Sequence, residues 1–162
     1  MKPKAYIETT VVSYLTARPS RDVVVAGHQQ ITHDWWRTAP ERFELVASQF
    51  VVDEANAGDA SAASRRQAAL EPVTLLDATD EALALAQELI RSGAIPATYP
   101  EDAAHIAIAV ANGAAYIVTW NCRHIANATM RWRIERVCRE QGYEPAIICT
   151  PEELMEPEDD HE

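Results

Sequence analysis

Glycine is scarce in this chain, with five residues in 162, and that scarcity excludes the loops that cradle phosphate on glycine backbone. Neither GxGxxG nor GxxxxGK(S/T) is present, so the dinucleotide and P-loop readings lose their motif. A GxSxG elbow and an HExxH pair are absent too, which removes two common hydrolase signatures. No stretch approaches the ~18 unbroken apolar residues of a membrane-spanning helix. The three cysteines, Cys122, Cys138 and Cys149, form no CxxC pair and read as reduced, partly buried thiols. Cys122 with His124 is too tight a pair for a zinc-ligand pattern, and His28 and His33 lie far from the cysteines. Met1-Lys2-Pro3-Lys4 leads directly into a strand-like run, so a cytoplasmic protein with no secretory leader and no membrane partner is expected.

Basic residues are in short supply as well: 14 Lys and Arg face 25 Asp and Glu, for a net charge of −11. Seven of the acids fall in residues 152–162, which carry no Lys or Arg, so the remaining body is only mildly acidic at −4. Nucleic-acid binders usually have the opposite sign, because neutralising phosphates supplies their affinity. What the chain does have is the balance of a folded domain, 48% apolar and 24% charged residues.

Strand-like and helix-like segments alternate along the body. Ala5–Ile7 reads as a buried strand, followed by a helical pattern from Val11 that Pro19 interrupts. A second helix is expected from Asp22 to about Thr38, with Pro40 just beyond its end. Phe43–Ser48 is the next strand, and Phe50–Ala55 then turns helical and stops at Gly58. Ala60–Leu70 reads as a helix, Val73–Leu76 as a strand, and Thr79 caps a helix ending at Ser92-Gly93. Pro100 opens a helix closed by Asn112-Gly113, and Tyr116–Thr119 is a strand. Asn127 caps a helix over 128–141, and Ala146–Cys149 is the last strand. Thr150-Pro151-Glu152-Glu153 announces one more short helix. Strands apolar on both faces argue one α/β domain over 1–151, a parallel sheet covered by helices. Residues 152–162 are expected to be an acidic, partly disordered tail.

Chemistry in such a fold sits just past the carboxyl ends of the strands, which share one edge. Glu8 follows the first strand directly, Asn121 follows the strand Tyr116–Thr119, and both are placed there by that rule. Glu54, in a short helix after the second strand, and Asp102, in the first turn of a helix, join them if those helices begin on the same side. Each also has an ordinary reading. Asp102 suits a helix N-terminus, Glu54 an exposed helical position, and Asn121 a turn. Carboxylates gathered at one edge repel one another, and a divalent cation is the natural relief.

Four segments in this order resemble a PIN domain of the VapC-like toxin group. They are Tyr6-Ile7-Glu8-Thr9-Thr10, Glu54-Ala55-Asn56-Ala57-Gly58, Asp102-Ala103-Ala104-His105-Ile106-Ala107 and Val118-Thr119-Trp120-Asn121. The resemblance runs over roughly residues 5–150. It implies a three-layer α/β/α sandwich around a central, mainly parallel sheet of about five strands. It also implies a Mg²⁺- or Mn²⁺-dependent ribonuclease, often a homodimer, held inactive by a cognate antitoxin. Carried over by position, Glu8 stands for the first family acid, Glu54 the second and Asp102 the third, and these three would form the metal set. Asn121 falls where a fourth acid or an Asn is found, and Thr119 matches the small hydroxyl residue two positions earlier. Glu8 and Asp102 are then direct or water-mediated ligands. Glu54 holds a ligand water or orients the nucleophile, and Asn121 and Thr119 position water or a phosphate oxygen.

Two departures matter. Glu8 replaces the usual Asp, and its extra methylene moves a ligand oxygen by over ~1 Å. Asn121 keeps an oxygen but no charge, so one tightly held ion is expected, with a second recruited by substrate. The first reading is a metal-dependent endoribonuclease hydrolysing RNA phosphodiesters, the toxin of a toxin–antitoxin pair. The alternative is a PIN-fold binding protein whose altered acids no longer cut; a metal-dependent phosphatase on the same edge is a third.

Three further features have two readings each. His105 is expected to be packed or hydrogen-bonded rather than a proton donor. Arg123, Arg131, Arg133, Arg136 and Arg139 form either an RNA-facing strip or a solvated face with Arg131–Glu135 and Arg136–Glu140 pairs. Trp35-Trp36 cannot place both indoles on one buried line, so one is core and the other is free for a partner.

Overall fold

A computed structural model describes residues 1–158; residues 159–162, the end of the expected acidic tail, lie outside the described residues. Strand β1 (Lys4–Ile7) leads into α1 (Thr9–Thr16) and α2 (Val23–Arg42), then β2 (Glu44–Ser48). Helices α3 (Gln49–Ala55) and α4 (Ala60–Leu70) precede β3 (Thr74–Leu76). Helices α5 (Asp80–Arg91) and α6 (Pro100–Ala111) lead to β4 (Tyr116–Val118), α7 (Ala128–Glu140) and β5 (Ile147–Cys149). A single 3₁₀ turn, Glu152–Leu154, ends the order.

All strand pairs are parallel, in the order β3-β2-β1-β4-β5. The register sets Tyr6 between Val46 on one side and Ile117 on the other. The chain steps outward from β1 to β2 to β3, then crosses back to β4 and β5. Right-handed crossovers put α1–α4 and α5–α7 on opposite faces, and the packing of α1 on α2, α3 and α4, and of α5 on α6 and α7, agrees. The expected α/β sandwich with a five-stranded parallel sheet is therefore the fold. The strand order reverses between β1 and β4, so the crevice past their carboxyl ends is the topological switch point where ligands bind in open α/β sheets.

Local sequence explains the frame. Ala5, Tyr6 and Ile7 are all fully buried, as a central strand covered on both faces requires. Helix α6 is buried at every position from Ala103 to Val110, which fits a helix enclosed on all sides rather than half-solvated. Gly113, at φ 76°, turns the chain out of α6 in a left-handed conformation that residues with a Cβ resist.

One boundary differs from expectation. Helix α2 does not stop near Thr38 but runs through Pro40 to Arg42. Proline removes only one hydrogen bond in a last turn, while continuing the helix buries Trp35, Ala39 and Phe43. The 3₁₀ turn docks on α2: Leu154 is buried, and Arg42 Nη1 donates to its carbonyl at 2.6 Å.

Candidate active site

Glu8 sits where β1 gives way to α1. Its backbone N–H still bonds Val118 O at 3.1 Å, so it extends the β1/β4 ladder, and its side chain caps α1. Glu8 is 4% exposed, and its carboxylate takes three donors. Oε1 accepts from the hydroxyls of Thr10 and Thr119, the latter at 2.6 Å, and Oε2 accepts from Thr10 N at 3.2 Å. Burial raises its pKa, and these donors pull partly against that rise. The structure thus sets Glu8 at the switch point but turned into the chain.

Thr119 carries the link onward. Its Oγ1 accepts the Asn121 N–H at 2.9 Å, and the Asn121 side-chain amide donates to Asp102 Oδ1 at 3.4 Å. Asp102, in the first turn of α6, is therefore joined to Glu8 through Asn121 and Thr119. Its other oxygen, Oδ2, lies 3.3 Å from His124 Nδ1. Burial raises the Asp102 pKa, with His124 and His105 opposing and the Glu54 charge adding to the rise.

Glu54, near the end of α3, contacts His105 through Oε1 and Nε2. His105 is 1% exposed, and its Nδ1 lies 2.7 Å from the Tyr6 hydroxyl, which meets Ser48 Oγ at 2.7 Å. Both ring nitrogens are thus engaged, as a packed, hydrogen-bonded histidine requires. The Glu54 carboxylate stays accessible, with 38% of its side chain exposed.

The structure therefore brings Glu8, Thr119, Asn121 and Asp102 into one hydrogen-bond chain and sets Glu54 within electrostatic reach of Asp102. Among the described residues, however, no three His, Cys, Asp or Glu side chains close around one point as a ready cage. The reason is local: Glu8 spends its oxygens on hydroxyls and an amide, and Glu54 leans on His105. The donor set still fits a hydrated dication, because Mg²⁺ keeps several waters and takes one or two protein carboxylates. Asp102 and Glu54 supply those.

Sequence reasoning did not single out Thr10, Trp120, Tyr99 or His124 for this edge. Thr10 Oγ1 accepts from Trp120 N at 2.8 Å, and the Trp120 indole donates to Thr32 Oγ1 at 2.8 Å while stacking on His28 at 4.1 Å. The Tyr99 ring stacks on His124 with centroids 3.8 Å apart. The one local signal was the Asn121 side chain, whose Oδ1 accepts from His124 N at 3.1 Å in a turn that asparagine favours.

The arginines divide. Arg131 points inward, donating to Ile148 O and Ala126 O, so the expected Arg131–Glu135 pair gives way to main-chain anchoring. Arg136 pairs with Glu140 at 2.9 Å, and Arg139 with Glu135 at 3.8 Å. Arg133 lies over the exposed Trp132 ring at 5.2 Å, and with Arg136 they line a cavity of about 240 Å³. Trp35 is core, while Trp36 remains half-buried. Cys138 and Cys149 are buried free thiols, with pKa values raised by burial to about 11 and about 12, and Cys122 is an exposed one. Among the described residues no helix is long and apolar enough to cross a membrane.

No family model and no curated protein matches the sequence. A solved structure does match in fold: a chain of VapBC2 from Rickettsia felis, crystallised bound to a DNA fragment from their promoter. The match covers 91% of this chain and 98% of that one, with a TM-score of 0.59 and 15% sequence identity. Nearly the whole chain therefore shares its architecture with a component of the VapBC2 complex, which supports the VapC-like resemblance at the level of fold.

Proposed function

We propose that this chain is a divalent-metal-dependent endoribonuclease and the toxin of a type II toxin–antitoxin pair, acting in the cytoplasm. The observation that carries the reading is the hydrogen-bond chain from Glu8 through Thr119 and Asn121 to Asp102, across the switch point of a parallel sheet. A bound Mg²⁺ or Mn²⁺ would polarise the phosphodiester and acidify a water for in-line attack. Asp102 and Glu54 would hold it. Asn121 orients Asp102 and leaves a polar edge for a phosphate oxygen, while His105 fixes the Glu54 carboxylate against the β1 end. Glu8, through Thr10 and Thr119, keeps the ends of β1 and β4 at constant separation, so the groups beyond them meet substrate already placed.

The toxin role is supported by the fold shared with a chain of a two-component complex seated on promoter DNA. By analogy, an antitoxin segment would cover this edge and a second copy of the chain would complete a dimer. The inward-turned Glu8 favours one rival reading, a PIN-fold protein that binds partners without cutting.

Purified protein incubated with single-stranded and structured RNA separates the two. Cleavage should appear with Mg²⁺ or Mn²⁺, vanish with EDTA, and fall by about 100-fold or more in Asp102→Ala. RNA left intact under every metal condition, by protein that still binds its partner, would establish the rival.

A further inference from the structure

His124 is held on three sides. Its main-chain N–H is fixed by Asn121 Oδ1 at 3.1 Å, its ring lies against Tyr99 at 3.8 Å, and Nδ1 stands 3.3 Å from Asp102 Oδ2. The loop beneath it is tied down as well, by Ile125 N and Ala126 N bonding Asn121 O at 3.3 and 2.8 Å. The ring nitrogen Nδ1 is thus held beside the Asp102 carboxylate, on a frame that has little freedom to withdraw it. Two donors at about 2.1 Å from one ion are about 3.0 Å apart at right angles and about 3.4 Å apart at the tetrahedral angle. The observed separation lies between those values.

We infer that His124 Nδ1 is a metal ligand beside Asp102, making the site a mixed nitrogen–oxygen one that prefers Mn²⁺ to Mg²⁺. The inference rests on reading this edge as a metal site and adds a ligand that the acidic set lacks. Carboxylate and water suit Mg²⁺ and Mn²⁺ alike, so discrimination between the two falls to the imidazole, which binds a transition-metal dication better than hard magnesium. About a fifth of the His124 side chain is exposed, so solvent can accept the Nε2–H of the tautomer that leaves Nδ1 free to bind.

Pulsed electron paramagnetic resonance of the full chain with one equivalent of Mn²⁺ tests this directly. A ¹⁴N coupling to the manganese is expected in the wild type and should disappear in His124→Gln. By calorimetry, Mn²⁺ should bind about tenfold more weakly to that variant, with Mg²⁺ affinity changing much less. Bound manganese without nitrogen coupling would reduce the His124–Asp102 contact to a plain ion pair and overturn the inference. A coupling that survives in His124→Gln would assign the nitrogen to His105 and also overturn it. Absence of Mn²⁺ binding would remove both this ligand and the metal-dependent function. RNA cleavage by the same samples in Mg²⁺, without nitrogen coupling in Mn²⁺, would sink the ligand alone.

Discussion

At the scale of single residues, Glu8 combines two roles that pull in opposite directions. It is an acid removed from water, which favours the protonated form, and it is the acceptor for two hydroxyls and an amide, which favours the charged one. Burial wins, so the folded pKa lies above the ordinary 4.5. A carboxyl with a raised folded pKa binds more protons folded than unfolded. Its stabilisation is complete below the unfolded value and is lost as pH rises through the folded one. Asp102, raised from 3.8 mainly by burial, acts in the same sense. In EDTA, thermal melts followed by circular dichroism should therefore show a midpoint that declines as pH is raised from about 4.5 into the raised range. Glu8→Gln should flatten that decline; an unchanged slope would mean the carboxyl does not carry the effect.

At the scale of elements, α2 holds a test of its own. Pro40 lies in the last turn and is exposed, so its cost is a missing hydrogen bond to Trp36 O with no buried ring to lose. Interior proline is about 3 kcal/mol worse than alanine in a helix, and its stiffening of the unfolded chain returns about 0.4–1 kcal/mol. Pro40→Ala should raise stability by about 1–2 kcal/mol in urea titrations. A loss would show that the ring's contact with the apolar groove of Trp36, Phe43 and Leu45 outweighs the helix term.

The same element shows where sequence reasoning reaches and where it stops. Punctuation was legible: Thr79, Asn127 and Gly113 stand where caps and turns are needed, and every strand lies where a short apolar run predicts it. Pro40 misled because a local rule met a buried Trp35 and Phe43 that outweigh it. At the site, Glu8 and Asn121 could be placed by topology alone, since Glu8 directly follows β1 and Asn121 lies in the loop just past β4. The inward turn of Glu8 could not, because it depends on Thr119, 111 positions away. Tyr99 and His124 come together only when the loop before α6 meets the loop after β4, and no periodicity records such a meeting.

At the scale of the whole molecule, charge is the governing fact. A chain of net charge −11 would repel RNA at long range, so the proposed RNA binding would have to rely on a few unpaired arginines. Of the five on and before α7, Arg131 is consumed by main-chain carbonyls, and Arg136 and Arg139 are paired. Arg133, set over Trp132, is the most available cation of that helix. Arg133→Glu should weaken RNA binding and lower the slope of log K against log salt by about 1. A slope identical to wild type, measured by fluorescence anisotropy across a salt series, would place the RNA track elsewhere.

The Glu8 carboxylate grips Thr10, Thr10 grips the Trp120 amide, and the Trp120 indole is fastened to Thr32 and laid flat on His28. Anything that draws the carboxylate outward slackens that tether and disturbs the indole at its far end. Of the four tryptophans, Trp120 stands at the end of that tether, so its share of the emission would be the gauge, registering from inside the fold what has arrived at the rim.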